Sequence, residues 1–186
     1  MRVKFNIWRI LVISGLFLLL AGLAVWRLHG HGAGAVILAV VIAAVLLDLA
    51  VVDFYTQEIP DWFHVGLAVP AVLAVWVFPD ITLAARGVGF FAVSAPMLGL
   101  ALVKEGAFGG GDIKLMAVCG FLLGWQGVLV AFFVAVLLGG GWAVYLLASG
   151  RGKRGQHMAF GPALCVGIFF SLLWGADVLA WYMAFF

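Results

Sequence analysis

Eight acidic side chains are spread along the 186 residues of this chain, and two of them stand in patterns suited to acid–base chemistry. The first is Asp112, which three glycines precede in Gly109-Gly110-Gly111-Asp112. Glycines there let the backbone approach another segment or take positive φ. They also leave the carboxyl unobstructed at a helix start, where the helix dipole favours negative charge. On this local pattern alone, a glycine-rich turn whose aspartate merely caps the next helix is an equal alternative. The second is Asp53, in Asp53-Phe54-Tyr55-Thr56-Gln57-Glu58-Ile59-Pro60-Asp61. Proline disfavours helix in the residue before it, so the chain turns at Ile59-Pro60. Two carboxylates carried by separate helices on one membrane face can share a water and a proton. One then serves as base and the other as acid. That is peptide hydrolysis without a covalent intermediate, and neither a metal nor any other cofactor is expected.

The remaining reactive side chains have plainer readings. His29 and His31 fall in a short polar loop on the side opposite the two motifs, while His64 and His157 fall near the motif side with helix-end or loop roles. Cys119 and Cys165 sit inside apolar stretches and read as small core residues. With no Cys-x-x-Cys pair, a structural zinc site is not expected. Asp48 precedes Asp53 by five residues, about 140° round a helix, and so is not on its face. It is left to pair with a polar group between helices. Asp177 reads as interfacial, and Glu58 and Asp61 either attract a basic ligand or are solvated. Ten basic residues, scattered along the chain, make no phosphate-binding stripe, so no nucleic-acid partner is expected.

The elements that must position Asp53 and Asp112 are membrane helices. Hydrophobic residues make up 67% of the chain and charged residues only 10%, against about 25% charged in soluble domains. The fold class is therefore all-α, a polytopic helical membrane protein with about six to seven transmembrane segments surrounded by lipid. Seven apolar segments divide it, at about 9–26, 34–52, 62–78, 86–103, 113–124, 127–148 and 160–183. The first follows Arg2, Lys4 and Arg9 as a signal peptide would. It exceeds the usual apolar region of about 7–15 residues and lacks a small-x-small cleavage site, so it reads as a retained helix. Residues 115–150 carry no charge over 36 positions. As one helix they would extend about 54 Å, nearly twice the hydrocarbon thickness. They must fold back, with Gly124-Trp125-Gln126-Gly127 as the break. Alternating the segments from a cytoplasmic N-terminus puts Arg2, Lys4, Arg9, Lys104, Lys114, Arg151, Lys153 and Arg154 inside, and Arg27 and Arg86 outside. That satisfies the positive-inside rule and sets both motif aspartates at the cytoplasmic face.

Three segments together resemble the type IV prepilin leader peptidases, the bacterial prepilin and archaeal preflagellin enzymes. One is Asp53 with its Ile59-Pro60-Asp61 tail. Another is Gly109-Gly110-Gly111-Asp112-Ile113-Lys114-Leu115 followed by Gly124-Trp125. The last is His157-Met158-Ala159-Phe160-Gly161-Pro162. The resemblance covers about residues 45–175 of a single membrane-embedded peptidase domain, with 1–33 as an extra helix and loop. It implies that Asp53 and Asp112 are the catalytic pair of an aspartic endopeptidase in the cell inner membrane. Its partner would be a prepilin or pseudopilin, whose short basic leader it removes at the cytoplasmic face. Gly109, Gly111, Lys114, Pro60, Gly161 and Pro162 would shape the site. Many relatives have an N-terminal region with paired Cys-x-x-Cys motifs and also methylate the product. Segment two here follows one helix and a short loop, so methyl transfer is not expected. Two rival readings are a presenilin- or signal-peptide-peptidase-like intramembrane protease, favoured by Pro162-Ala163-Leu164, and a small proton-coupled transporter. The first aspartate is not in a Tyr-Asp pair, and no internal repeat supports a transporter.

Overall fold

The computed structural model describes residues 7–104, 106, 108–150 and 159–185, with side chains from Leu11 onward. Arg2, Lys4, Glu105, Arg151, Lys153, Arg154, His157 and Met158 lie outside the described residues. So does the side chain of Arg9.

Every regular element among the described residues is helical: α1 Ile7–Leu28, α2 Ala33–Thr56, α3 Asp61–Val77, α4 Leu83–Ala92, α5 Ser94–Val103, α6 Gly110–Ala148 and α7 Gly161–Met183, with a short 3-10 turn His29–His31 after α1. Five spans are long and apolar enough to cross a membrane, one of them made of α4 and α5 together, and α3 is a shorter apolar helix. The protein is a multi-pass membrane protein. Ile42, Leu49, Leu67, Met116, Leu164 and Ile168 form part of one buried core among the helices.

The expected fourth segment, 86–103, is two helices broken at Val93. Pro96 has no N–H to give the carbonyl four residues earlier, which ends the regular ladder. Ser94 Oγ donates to the Phe90 carbonyl just before the break. α4 also begins earlier than expected, at Leu83, because Thr82 Oγ accepts the Ala85 N–H and caps the helix.

The long apolar stretch folds back on itself. Within α6 only Gly124 is non-helical, with φ 72° and ψ 172°, a conformation that suits glycine. The limb before it runs antiparallel to α4, since Gly120 meets Gly89 backbone to backbone and Gly124 lies over Ala85. The limb after it runs antiparallel to α7. Ser171 Oγ donates to the Gly127 carbonyl, Gly167 lies against Ala131, and Gly139 against Phe160. At about 1.5 Å per residue the first limb reaches only about 21 Å, so its last turn ends inside the protein. The helix begins at Gly110, three residues before the expected segment.

Arg86 corrects the sequence reading most sharply. Counted there on the outer side, as the first residue of segment 86–103, it is fully buried. Its guanidinium donates to Phe121 O at 3.1 Å and Leu122 O at 2.8 Å, in the last turn before Gly124. It also donates to Ala74 O at 2.8 Å and Phe78 O at 2.9 Å, at the end of α3, and to Ile81 O at 3.2 Å. The last carbonyls of any helix lack partners within the helix. One arginine, with donors in a fixed fork, satisfies such carbonyls at two helix ends in a place water does not reach.

Candidate active site

Asp53 lies in the last turn of α2, 4% exposed. The helix stops one turn later, where Gln57 takes the left-handed conformation (φ 55°) and its N–H closes on Asp53 O at 2.8 Å. The Asp53 carboxylate reaches across to α7 and accepts the Gly161 N–H at 3.0 Å. That amide is one of the unpaired donors of a helix start, so Asp53 caps α7 from another helix. A Cβ at position 161 would lie 2.5 Å from Asp53 Oδ2. Pro162 follows in the first turn of α7, where its missing N–H costs nothing.

Asp112 stands in the first turn of α6, half-buried, behind Gly109 as N-cap. Gly109 lies against its carboxylate, where an added Cβ would sit 3.3 Å from Oδ2, and Asp53 is near enough to interact with it electrostatically. Gly111 packs against the turn between α2 and α3, where an added Cβ would lie 2.7 Å from Ile59 Cβ. Pro60 is the N-cap of α3, and Asp61, its first residue, accepts from Lys114 Nζ at 2.6 Å. Two helix starts, with the positive ends of their dipoles, thus converge on two carboxylates.

Asp53 and Asp112 line one cavity of about 940 Å³. Gly109 and Pro162 line it too, whereas Gly111, Gly161, Pro60 and Lys114 are not among its lining residues, and of these four Gly161 touches the Asp53 carboxylate. Apart from Gln57 the rest of the wall is mostly apolar and includes Phe54, Phe108, Phe160 and Val166, with Val136, Leu138 and Trp142 contributed by the returning limb of α6. Phe108 and Phe160 pack with ring centroids 6.0 Å apart.

The other acids stand apart. Asp48 is exposed on a different face of α2, beside Ser14 and Trp62. Asp177 pairs with Arg27 where the ends of α1 and α7 meet. Cys119 and Cys165 are buried free thiols.

His64 and the returning limb of α6 are the site's neighbours that sequence reasoning missed. His64 is 7% exposed, and its Nε2 lies 2.9 Å from Gly111 O. A histidine three residues after Asp61 in an otherwise apolar segment was the available signal. Its partner, 47 residues away, was not.

Residues 40–144 match the type IV leader peptidase family. The chain belongs to that family. Its relatives include the prepilin leader peptidase/N-methyltransferase of Bacillus subtilis (strain 168), 33% identical over 152 residues that make up 78% of this chain and 58% of that protein. The proteins of the same name from Pseudomonas putida and Escherichia coli (strain K12) are each 33% identical, over 87% and 73% of this chain and 57% and 60% of their own. The chain thus spans about three-fifths of the length of these relatives. No solved structure matches it. The family leaves the presenilin-like and transporter readings without support.

Proposed function

We propose that this protein is an aspartic endopeptidase that removes the short basic leader of type IV prepilins or pseudopilins, with Asp53 and Asp112 as its catalytic pair. The observation that carries this reading is the meeting of two carboxylates, from the end of α2 and the start of α6, in one cavity. The names of the relatives support the substrate class.

Close carboxylates hold one proton between them as a single unit. A water placed between them loses a proton to the ionised carboxylate as its oxygen attacks the scissile carbonyl carbon. The protonated partner gives its proton to the carbonyl oxygen, leaving a tetrahedral diol. The carbonyl re-forms as a hydroxyl proton returns to the pair, a proton passes to the peptide nitrogen, and the C–N bond breaks. The Gly161 N–H holds the Asp53 carboxylate in place through this exchange. The apolar wall of Phe108, Val136, Leu138 and Val166 suits the hydrophobic helix that follows a prepilin leader. Cleavage falls at the cytoplasmic face of the inner membrane in this reading, where a basic leader is retained.

The test is to incubate the purified chain with a prepilin-type substrate and identify the new N-terminus by mass spectrometry. The wild type is expected to cut at the leader's end. Asp53→Asn and Asp112→Asn should each lose about 10²–10⁴-fold or more of the rate while remaining in the membrane. Near wild-type cleavage by either variant would overturn the two-aspartate mechanism.

A further inference from the structure

We propose that His64 is a positioning residue, which aims Asp112 by holding the start of α6 against α3. The inference rests on the peptidase reading for its kinetic consequence but not for its structural one.

The contact has a fixed polarity. Gly111 O is a carbonyl and only accepts, so His64 Nε2 carries the hydrogen and donates to it across 2.9 Å. A helical carbonyl has a second lone pair for such a donor. The Gly111 carbonyl and the Asp112 N–H belong to one rigid peptide plane. The Asp112 Cα lies in that plane as well, so holding the oxygen fixes where this Cα sits, and with it the base from which the carboxyl projects.

The other ring nitrogen shows that the histidine serves this one bond. Nδ1 is buried and is the one such side-chain atom without a hydrogen bond among the described residues. Asp61 Oδ1, the acid nearest it, is 3.7 Å away and is taken by Lys114. The Asp61–Lys114 pair bridges the same two helices one turn along, but both side chains are exposed, 77% and 58%. Exposed pairs of this kind contribute little. The part-buried bond from the buried His64 is the stronger anchor, and Ile59 against Gly111 closes the space beside it.

Glutamine carries its amide nitrogen near the place of Nε2, whereas asparagine carries it near Nδ1 and falls short of Gly111. The experiment compares His64→Gln, His64→Asn and His64→Leu in the full-length chain. With a prepilin-type substrate, H64N and H64L are expected to lose about 10- to 100-fold in kcat, as a misplaced catalytic group does. KM should stay near wild type, and H64Q should recover most of the rate. Hydrogen–deuterium exchange gives a readout independent of catalysis. The amides of residues 112–116 should exchange faster in H64N and H64L than in wild type or H64Q, with no change around Gly127 and Ser171. If H64L does not fold, H64N against H64Q carries the comparison. Unchanged exchange at 112–116, or H64Q behaving as H64N, overturns the proposal whether or not the substrate is cut. A wild type that cuts nothing counts against the peptidase reading alone, and the exchange data still decide the role of His64.

Discussion

Asp53 accepts its hydrogen bond from Gly161 where a side chain on the donor residue would collide with the carboxylate. Gly161→Ala should therefore push Asp53 off its position without touching its chemistry. The expected loss is about 10²-fold in kcat, the scale of an ångström-sized misplacement, and steady-state kinetics on a prepilin-type substrate would measure it. Loss of thermal stability alone, with kcat intact, would mean the contact only builds the helix cap. Asp48 and Asp177 set the contrast. The first faces away from the cavity and the second is bound to Arg27 at the far end of α7. Asp48→Asn and Asp177→Asn should retain most of the activity in the same assay. At this scale both motif aspartates were legible because their signals are local: glycines beside one, a proline after the other. Asp53's partner was not legible, because a backbone N–H 108 residues away leaves no mark on the sequence near Asp53.

The break at Gly124 was also legible, since an uncharged run longer than a membrane must turn and glycine is where turning is easiest. What sustains the break was not. A helix that stops inside an apolar protein leaves carbonyls without water, and each costs about 1–3 kcal/mol if unsatisfied. Arg86 meets five carbonyls from the ends of α3 and of the first α6 limb and from the connection between α3 and α4. Its charge, read in sequence as a mark of the outer face, is a packing element. Arg86→Ala should destabilise the protein by about 3 kcal/mol or more, since several buried acceptors lose their donor together. Arg86→Lys should recover little, because an ammonium lacks the planar fork that reaches separate carbonyls. Thermal unfolding in detergent would measure both. An alanine variant as stable as wild type would show that other donors satisfy those carbonyls. The break at Val93 had a visible cause in Pro96, yet hydropathy alone reads straight through it because both halves are apolar.

For the molecule as a whole, the hairpin in α6 decides which ends of the helices share a face. With the returning limb antiparallel to α7, the ends of α2 and α6 and the start of α7 lie together around the two carboxylates. Arg27, His31, Phe78 and Gly124 gather around a cavity at the opposite end. Arg86 is buried but stays at that far end, so Arg27 and Arg86 remain the two basic residues there against eight assigned to the other, the asymmetry from which the orientation was read. The carboxylate end is then expected to face the cytoplasm. Single cysteines test this in a background made by Cys119→Ala and Cys165→Ala, two buried positions whose thiols carry no partner. Cysteines at positions 57 and 153 should resist an impermeant thiol reagent on intact spheroplasts and react after lysis. One at position 31 should react from outside. The reverse pattern at all three would invert the molecule and put both aspartates out of reach of a leader retained inside. Labelling at 153 but not at 57 would instead mean that α6 crosses once, and the antiparallel pairing of Gly127 with Ser171 would have to be abandoned with it.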